Sequence, residues 1–202
     1  MNFREKYNNY EELRKNEREG TDYQILFRRG SSGISVMAPH GGGIEPGTSE
    51  IADRVAGDEH TFYSFEGLKE RGSFDLHITS KFFDEPVGIS IAGNSRTIVA
   101  IHGCKEKESI VYIGGRDTGL KAKIRSALAE AGFGIKENAS YPGMDPLNIC
   151  NRSRFQRGVQ LEISMALRRF MFHNLSRTKR INTTAIFDKF VVALRQALSD
   201  PR

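Results

Sequence analysis

Apolar residues recur along this chain with two different periods, and the switches between them mark out its elements. Alternating or continuous apolar runs predict strands at 23–28, 34–38, 61–65, 74–79, 97–102, 110–113, 133–136 and 159–163. Leu120, Ile124, Ala127, Leu128 and Ala131 return every three or four residues, which predicts a helix over 118–131 stopped by Gly132. Ile186, Phe187, Phe190, Val191, Leu194 and Leu198 trace another helical face, with Asn182 or Thr183 available as its cap. Two shorter helices are expected after Glu45 and Asp84, because Pro46 and Pro86 suit a first turn, where a missing N–H leaves nothing unsatisfied. Strands alternating with helices imply an α/β fold in three layers, α/β/α, around a mixed, largely parallel sheet.

At 202 residues the chain can bury one sizeable core, and no repeat, low-complexity tract or Pro-rich linker divides it. One domain over 1–202 is expected, with the charged stretch 1–20 as a helical extension of it. No run approaches the roughly eighteen apolar residues of a membrane helix. The first twenty residues are polar and charged rather than a secretory signal, so a cytoplasmic location is expected, with release on lysis as the route to an external substrate. Two cysteines, Cys104 and Cys150, are too few for a disulfide framework or a zinc ribbon. A net charge of +5 favours polyanionic partners without choosing among them.

Three segments carry candidate chemistry. In Ala38-Pro39-His40-Gly41-Gly42-Gly43-Ile44-Glu45 a strand runs into an imidazole, three glycines let the backbone turn tightly, and a carboxylate follows just before a helix. Sheets of α/β proteins place ligands at the carboxyl ends of their strands, where an imidazole and a carboxylate are suitable zinc donors. His102 ends the apolar run Ile98-Val99-Ala100-Ile101 and precedes Gly103, repeating that arrangement. In Val159-Gln160-Leu161-Glu162-Ile163 the carboxylate of Glu162 points away from the apolar face, which is costly unless it is paired, bound to a metal or used as a base. Each segment also has a plain structural account: a strained turn, a hydrogen-bonded strand end, and a salt bridge to Arg152, Arg154 or Arg157. Cys104 reads as a small buried hydrophobe, and His60 and His173 fall outside any motif.

Taken together, His40-Gly41-Gly42-Gly43-Ile44-Glu45, His102-Gly103, Asn148-Ile149-Cys150-Asn151-Arg152 and Gly158-Val159-Gln160-Leu161-Glu162-Ile163-Ser164 resemble the phage and bacillar poly-γ-glutamate hydrolases. Leu76-His77-Ile78-Thr79-Ser80 and Phe83-Asp84-Glu85-Pro86 extend the resemblance over nearly the whole chain. That family is similar in fold to the zinc carboxypeptidases. The resemblance implies a zinc-dependent enzyme that cuts γ-glutamyl amide bonds of an anionic polymer, with one Zn2+ held by His40, Glu45 and His102 and with Glu162 as general base towards water. The carboxypeptidase pattern has two residues between its first His and Glu, whereas four intervene here, which keeps Glu50 as a minor rival to Glu45. For the substrate's carboxylates, Asn151-Arg152 resembles the carboxypeptidase Asn-Arg pair, and arginine's planar fork suits that task. Arg157 and His77 are further substrate-facing candidates, and an arginine is expected to join zinc at the oxyanion. The expected protein is a monomer that works away from membranes.

Two other functions fit parts of the chain. A serine esterase would use His40-Gly41-Gly42-Gly43 as its oxyanion turn and Gly88-Ile89-Ser90-Ile91-Ala92 as a nucleophile elbow, although Ser90 falls inside a predicted helix. A nucleic-acid binder would use the stretch 168–180, RRFMFHNLSRTKR, which interleaves basic and aromatic residues. The plainer account is a helix with Phe170, Met171 and Phe172 partly in the core and a basic exposed side, and nucleic acid is not the expected partner.

Overall fold

The computed structural model describes residues 5–137, 140–176, 180 and 182–199. The apolar runs form seven strands: β1 (Tyr23–Arg28), β2 (Ile34–Gly42), β3 (Thr61–Gly67), β4 (Thr97–Cys104), β5 (Val111–Gly114), β6 (Ile135–Lys136) and β7 (Val159–Ser164). They make one sheet in the order β1-β3-β2-β4-β7-β5-β6. Only the β1–β3 and β5–β7 pairs are antiparallel, so the sheet is mixed and largely parallel, as expected. The described helices are α1 (Tyr10–Asn16), α2 (Thr48–Ala56), α3 (Pro86–Asn94), α4 (Thr118–Glu130), α5 (Met165–Met171) and α6 (Ala185–Ser199).

Alternation along the strands divides the side chains between two cores. Val36, Ala38, Val99, Ile101, Val159, Leu161 and Ile163 face α2, α4, α5 and α6. Met37, Tyr63, Phe65 and Ile98 face the opposite way, against Tyr10 and Leu13 of α1 and Ile91 of α3. Three layers result. The central strands β2 and β4 are buried on both faces, which is why their sequences read as nearly continuous apolar runs.

Helix starts follow local chemistry. Pro86 opens α3 after Glu85, whose carboxylate accepts from the amides of Val87 and Gly88; Asp117 caps α4 by accepting from Leu120. Pro46 does not open α2 as anticipated, because Gly47 is the cap, in a left-handed conformation with φ 99°. The last helix starts at Ala185, beyond the anticipated caps, since Thr183 is bridged to Phe172.

Two further expectations are corrected. The segment 74–79 is not a strand: a 3-10 turn spans Ser73–Leu76, and Leu76 and Ile78 drop into the second core. Its apolar alternation is satisfied by packing across a face, while β1 occupies the edge beside β3. Over 168–180 the expected basic side is reduced, among the described residues, to exposed Arg169. Arg168 is buried, Arg180 is paired with Glu50, and Phe170 faces solvent. Arg177, Thr178 and Lys179 lie outside the described residues. No described helix is long and apolar enough to cross a membrane.

The chain before β1 is tied down by Glu17. Burial pushes its carboxyl up, but Lys69, Tyr7 and Lys6 donate to it and hold it at about 2. A carboxylate held low contributes stability above its unfolded pKa and loses it as pH falls through the folded value. Glu17→Gln is expected to lower stability at pH 7 by ~1–2 kcal/mol in urea melts. The gap to wild type should close as pH falls from 4.5 to about 2; a gap independent of pH refutes the account.

Candidate metal centre

The carboxyl ends of three adjacent strands, β2, β4 and β7, deliver the candidate side chains. Along β2 the pairing with β3 slips between Ala38 and Gly41, and Gly42 turns the chain at φ 63°. A Cβ at Gly42 would meet the Gly67 carbonyl oxygen at 2.6 Å, so both space and conformation demand glycine. The Glu45 amide then donates to the His40 carbonyl at 2.9 Å, closing the turn. That closure returns the Glu45 carboxylate to 3.2 Å from His40 Nδ1. His102 and Glu162 face each other directly across the β4–β7 pair.

Hydrogen bonds fix which ring nitrogens are available. The Ile78 carbonyl can only accept, so His40 Nε2, 2.8 Å away, carries the proton and Nδ1 presents its lone pair to Glu45. The Glu5 carboxylate accepts from His77 Nδ1 at 2.8 Å, which leaves His77 Nε2 facing Glu45 Oε1 at 3.8 Å. His102 Nδ1 lies 3.1 Å from His40 Nδ1 and 3.7 Å from Glu45 Oε2. Two ring nitrogens facing each other at that distance need a proton or a cation between them. Ligand atoms of His40, Glu45 and His77 lie within 4.8 Å of one another, and His102 joins them through its contacts to His40 and Glu45. Imidazole nitrogen and carboxylate oxygen together suit zinc, so the residues present fit the ion that the resemblance implies.

The electrostatics divide the acids. Burial, reinforced by His77, pushes His40 down to about 4, leaving a neutral ring of the kind that binds metals. Burial pushes Glu45 up, but the His40 and His102 rings outweigh it and hold the carboxyl well below its ordinary range. Burial raises Glu162 to about 7, against the pull of His102 and with Glu45 adding to the rise. All five residues line one cavity of about 650 Å³.

Behind this group lies Arg168, the largest of the fully buried side chains. Its guanidinium donates to the carbonyls of Ile163 at 3.1 Å, Cys104 at 3.1 Å and Pro46 at 2.6 Å. Those carbonyls belong to the end of β7, the end of β4 and the turn carrying Glu45. Gly103 lies between guanidinium and site: its amide donates to Glu45 Oε2 at 2.8 Å, and a Cβ there would meet the guanidinium carbon at 2.5 Å.

The remaining candidates lie elsewhere. Asn151 is buried, with its amide donating to the carbonyls of Gly143 and Asp145 and its oxygen accepting from Arg116. Arg152 donates to the carbonyls of Leu147 and Lys81, and half-exposed Arg157 stands 3.8 Å from Asp117. None of the three lines the cavity, and no arginine does among the described residues. Glu50 is bound to Arg180 at 2.7 Å and lines a different hollow, so the turn supplies Glu45 alone. Burial pushes the Cys104 thiol up to about 11, which keeps it a protonated hydrophobe at the cavity wall. Ser90 sits within α3, where no elbow can form.

His77 is closer to the ligand group than its sequence suggested, because the supposed strand hid a turn. Its acceptor, Glu5, is 72 residues away, and no local pattern announces the pair. Arg168 was concealed in a stretch that reads as a solvated basic face.

A sequence profile of the poly-γ-glutamate hydrolase family matches residues 7–193. The UPF0714 protein YndL of Bacillus subtilis (strain 168) is 39% identical over 180 residues, covering 88% of this chain and 71% of that one. The structure of a bacteriophage poly-γ-glutamate hydrolase superposes with a TM-score of 0.94 at 34% identity, covering 97% of each chain. An apo, zinc-free structure of YndL superposes with a TM-score of 0.93 at 34% identity, covering 98% of each.

Removing a buried cation from three carbonyls leaves all three without their donor. Arg168→Met is expected to lower unfolding free energy by ~3 kcal/mol or more in urea melts, and a loss under 1 kcal/mol, far below the ~3–5 expected for a broken buried pair, would show that the clamp is dispensable.

Proposed function

This chain belongs to the poly-γ-glutamate hydrolase family, and from that premise we propose that it cleaves γ-glutamyl amide bonds of poly-γ-glutamate by chemistry of the zinc-carboxypeptidase kind. In this reading one zinc ion is held by His40, Glu45 and His102, and Glu162 is the general base. The carrying observation is the convergence of the His40 and His102 nitrogens and the Glu45 carboxylate on one space, beside a carboxyl that burial raises to about 7.

Zinc bound there supplies Lewis acidity and lowers the pKa of water from about 15.7 towards about 7. Glu162 takes the proton of the attacking water and returns it to the leaving amine, work suited to a group whose pKa lies near neutrality. Glu45, held low, stays anionic throughout and serves as a donor. We place His77 beside the ligands, facing the substrate, because it stands on a turn and is half-buried, whereas His102 is buried on a central strand. The nitrogen and oxygen donor set and the zinc-free form known for the similar YndL support zinc; the similar phage enzyme supports the polymer.

Chelation is expected to abolish shortening of poly-γ-glutamate, as read by size-exclusion chromatography, and added zinc to restore it. His40→Ala and His102→Ala should lose the ion by elemental analysis, while His77→Ala keeps it. Glu162→Gln should retain the ion and lower kcat by about 10²–10⁴-fold. Full turnover after metal stripping, or in the Glu162→Gln variant, would falsify the mechanism.

A further inference from the structure

We propose that Lys105 and Lys81 are the carboxylate anchors of the cleft, gripping the free carboxylates of γ-glutamyl units near the bond that is cut. The inference rests on the hydrolase reading and adds the residues that select the substrate. Among the described residues these two are the basic side chains of Lys or Arg type that line the cavity. Both are exposed, and neither has a carboxylate within ion-pair distance among the described residues.

Each ammonium rests on an aromatic ring instead. Lys105 Nζ lies 4.7 Å from the centre of Phe74, and Lys81 Nζ lies 4.6 Å from the centre of Phe82. A ring face holds an ammonium by its quadrupole and leaves the N–H donors for an incoming anion. Lysine also suits the task kinetically, because a hydrated point charge releases a carboxylate more readily than a bidentate guanidinium.

Their placement fits a polymer with one carboxylate per unit. Rings adjoin one another in the site, with centres 5.4 Å apart from Phe74 to His77, 4.0 Å from His77 to His40 and 4.8 Å from His40 to His102. Lys105 joins this group at Phe74. His102 Nε2 lies 3.4 Å from Ser80 Oγ, and Lys81 follows Ser80 directly. Both cations share the cavity lining with the candidate ligands and base. Asp145, an acid in the same lining, turns its Oδ1 to the Leu147 amide at 2.9 Å.

Lys105→Met, Lys81→Met and the double variant test this by steady-state kinetics on poly-γ-glutamate at low and raised salt. Each single change is expected to raise KM roughly 5-fold, the double more, with kcat nearly unchanged and the salt dependence of KM flattened. Lys105→Arg should keep KM near wild type. Zinc content should be unchanged in all. An unchanged KM in the double variant, while the wild type shortens the polymer, overturns the anchors alone. A zinc-loaded wild type that leaves the polymer intact overturns the hydrolase reading and the anchors with it.

Discussion

Everything at the site depends on one buried cation. The Arg168 guanidinium holds three backbone carbonyls from three different segments, and those segments carry Glu45, His102 and Glu162. Burying an unpaired guanidinium costs several kcal/mol, and three charge-assisted hydrogen bonds offset that only when all three acceptors converge. The ends of β4 and β7 and the turn after Glu45 therefore cannot drift apart independently. Gly103 lets the cation approach this closely while its own amide holds Glu45 in place.

Charge balance follows from the same geometry. Two buried carboxylates share one pocket, and their surroundings push them in opposite directions. Glu45 accepts from the Gly103 amide and lies beside the His102 ring, whose pKa its neighbours raise, which favours the anion. Glu162 lacks such donors among the described contacts and is raised by burial, which suits the base role proposed for it. Tautomers are fixed from outside the pocket, by the Ile78 carbonyl and the Glu5 carboxylate, so that ring lone pairs point inward before any ligand arrives.

Specificity requires something further, because a metal and a base would hydrolyse many amides. The arginines that the sequence offered for this task are spent on the loop around 143–147 and on α4's cap. In the anchor role proposed for them, lysines seated on the rings of Phe74 and Phe82 are a weaker and more exchangeable kind of hold. The proposed polymer substrate, which would have to slide or leave after each cut, is better served by that than by a locked guanidinium pair.

By itself the sequence determined the layered α/β plan and where the strands that matter end. Apolar periodicity depends only on neighbours along the chain, and glycine beside His40 and His102 betrays close approach wherever it occurs. It also placed Glu162 on the opposite face from Leu161, since alternation along a strand is local geometry. Tertiary structure alone decided that His77 leaves a turn to face Glu45, that Arg168 turns inward and that Arg152 turns away. Those outcomes depend on which carbonyls and carboxylates arrive from distant segments, Glu5 and Pro46 among them. A long charged side chain reads the same in sequence whether it ends in water or in three buried carbonyls, so its partner is settled only when the chain has folded.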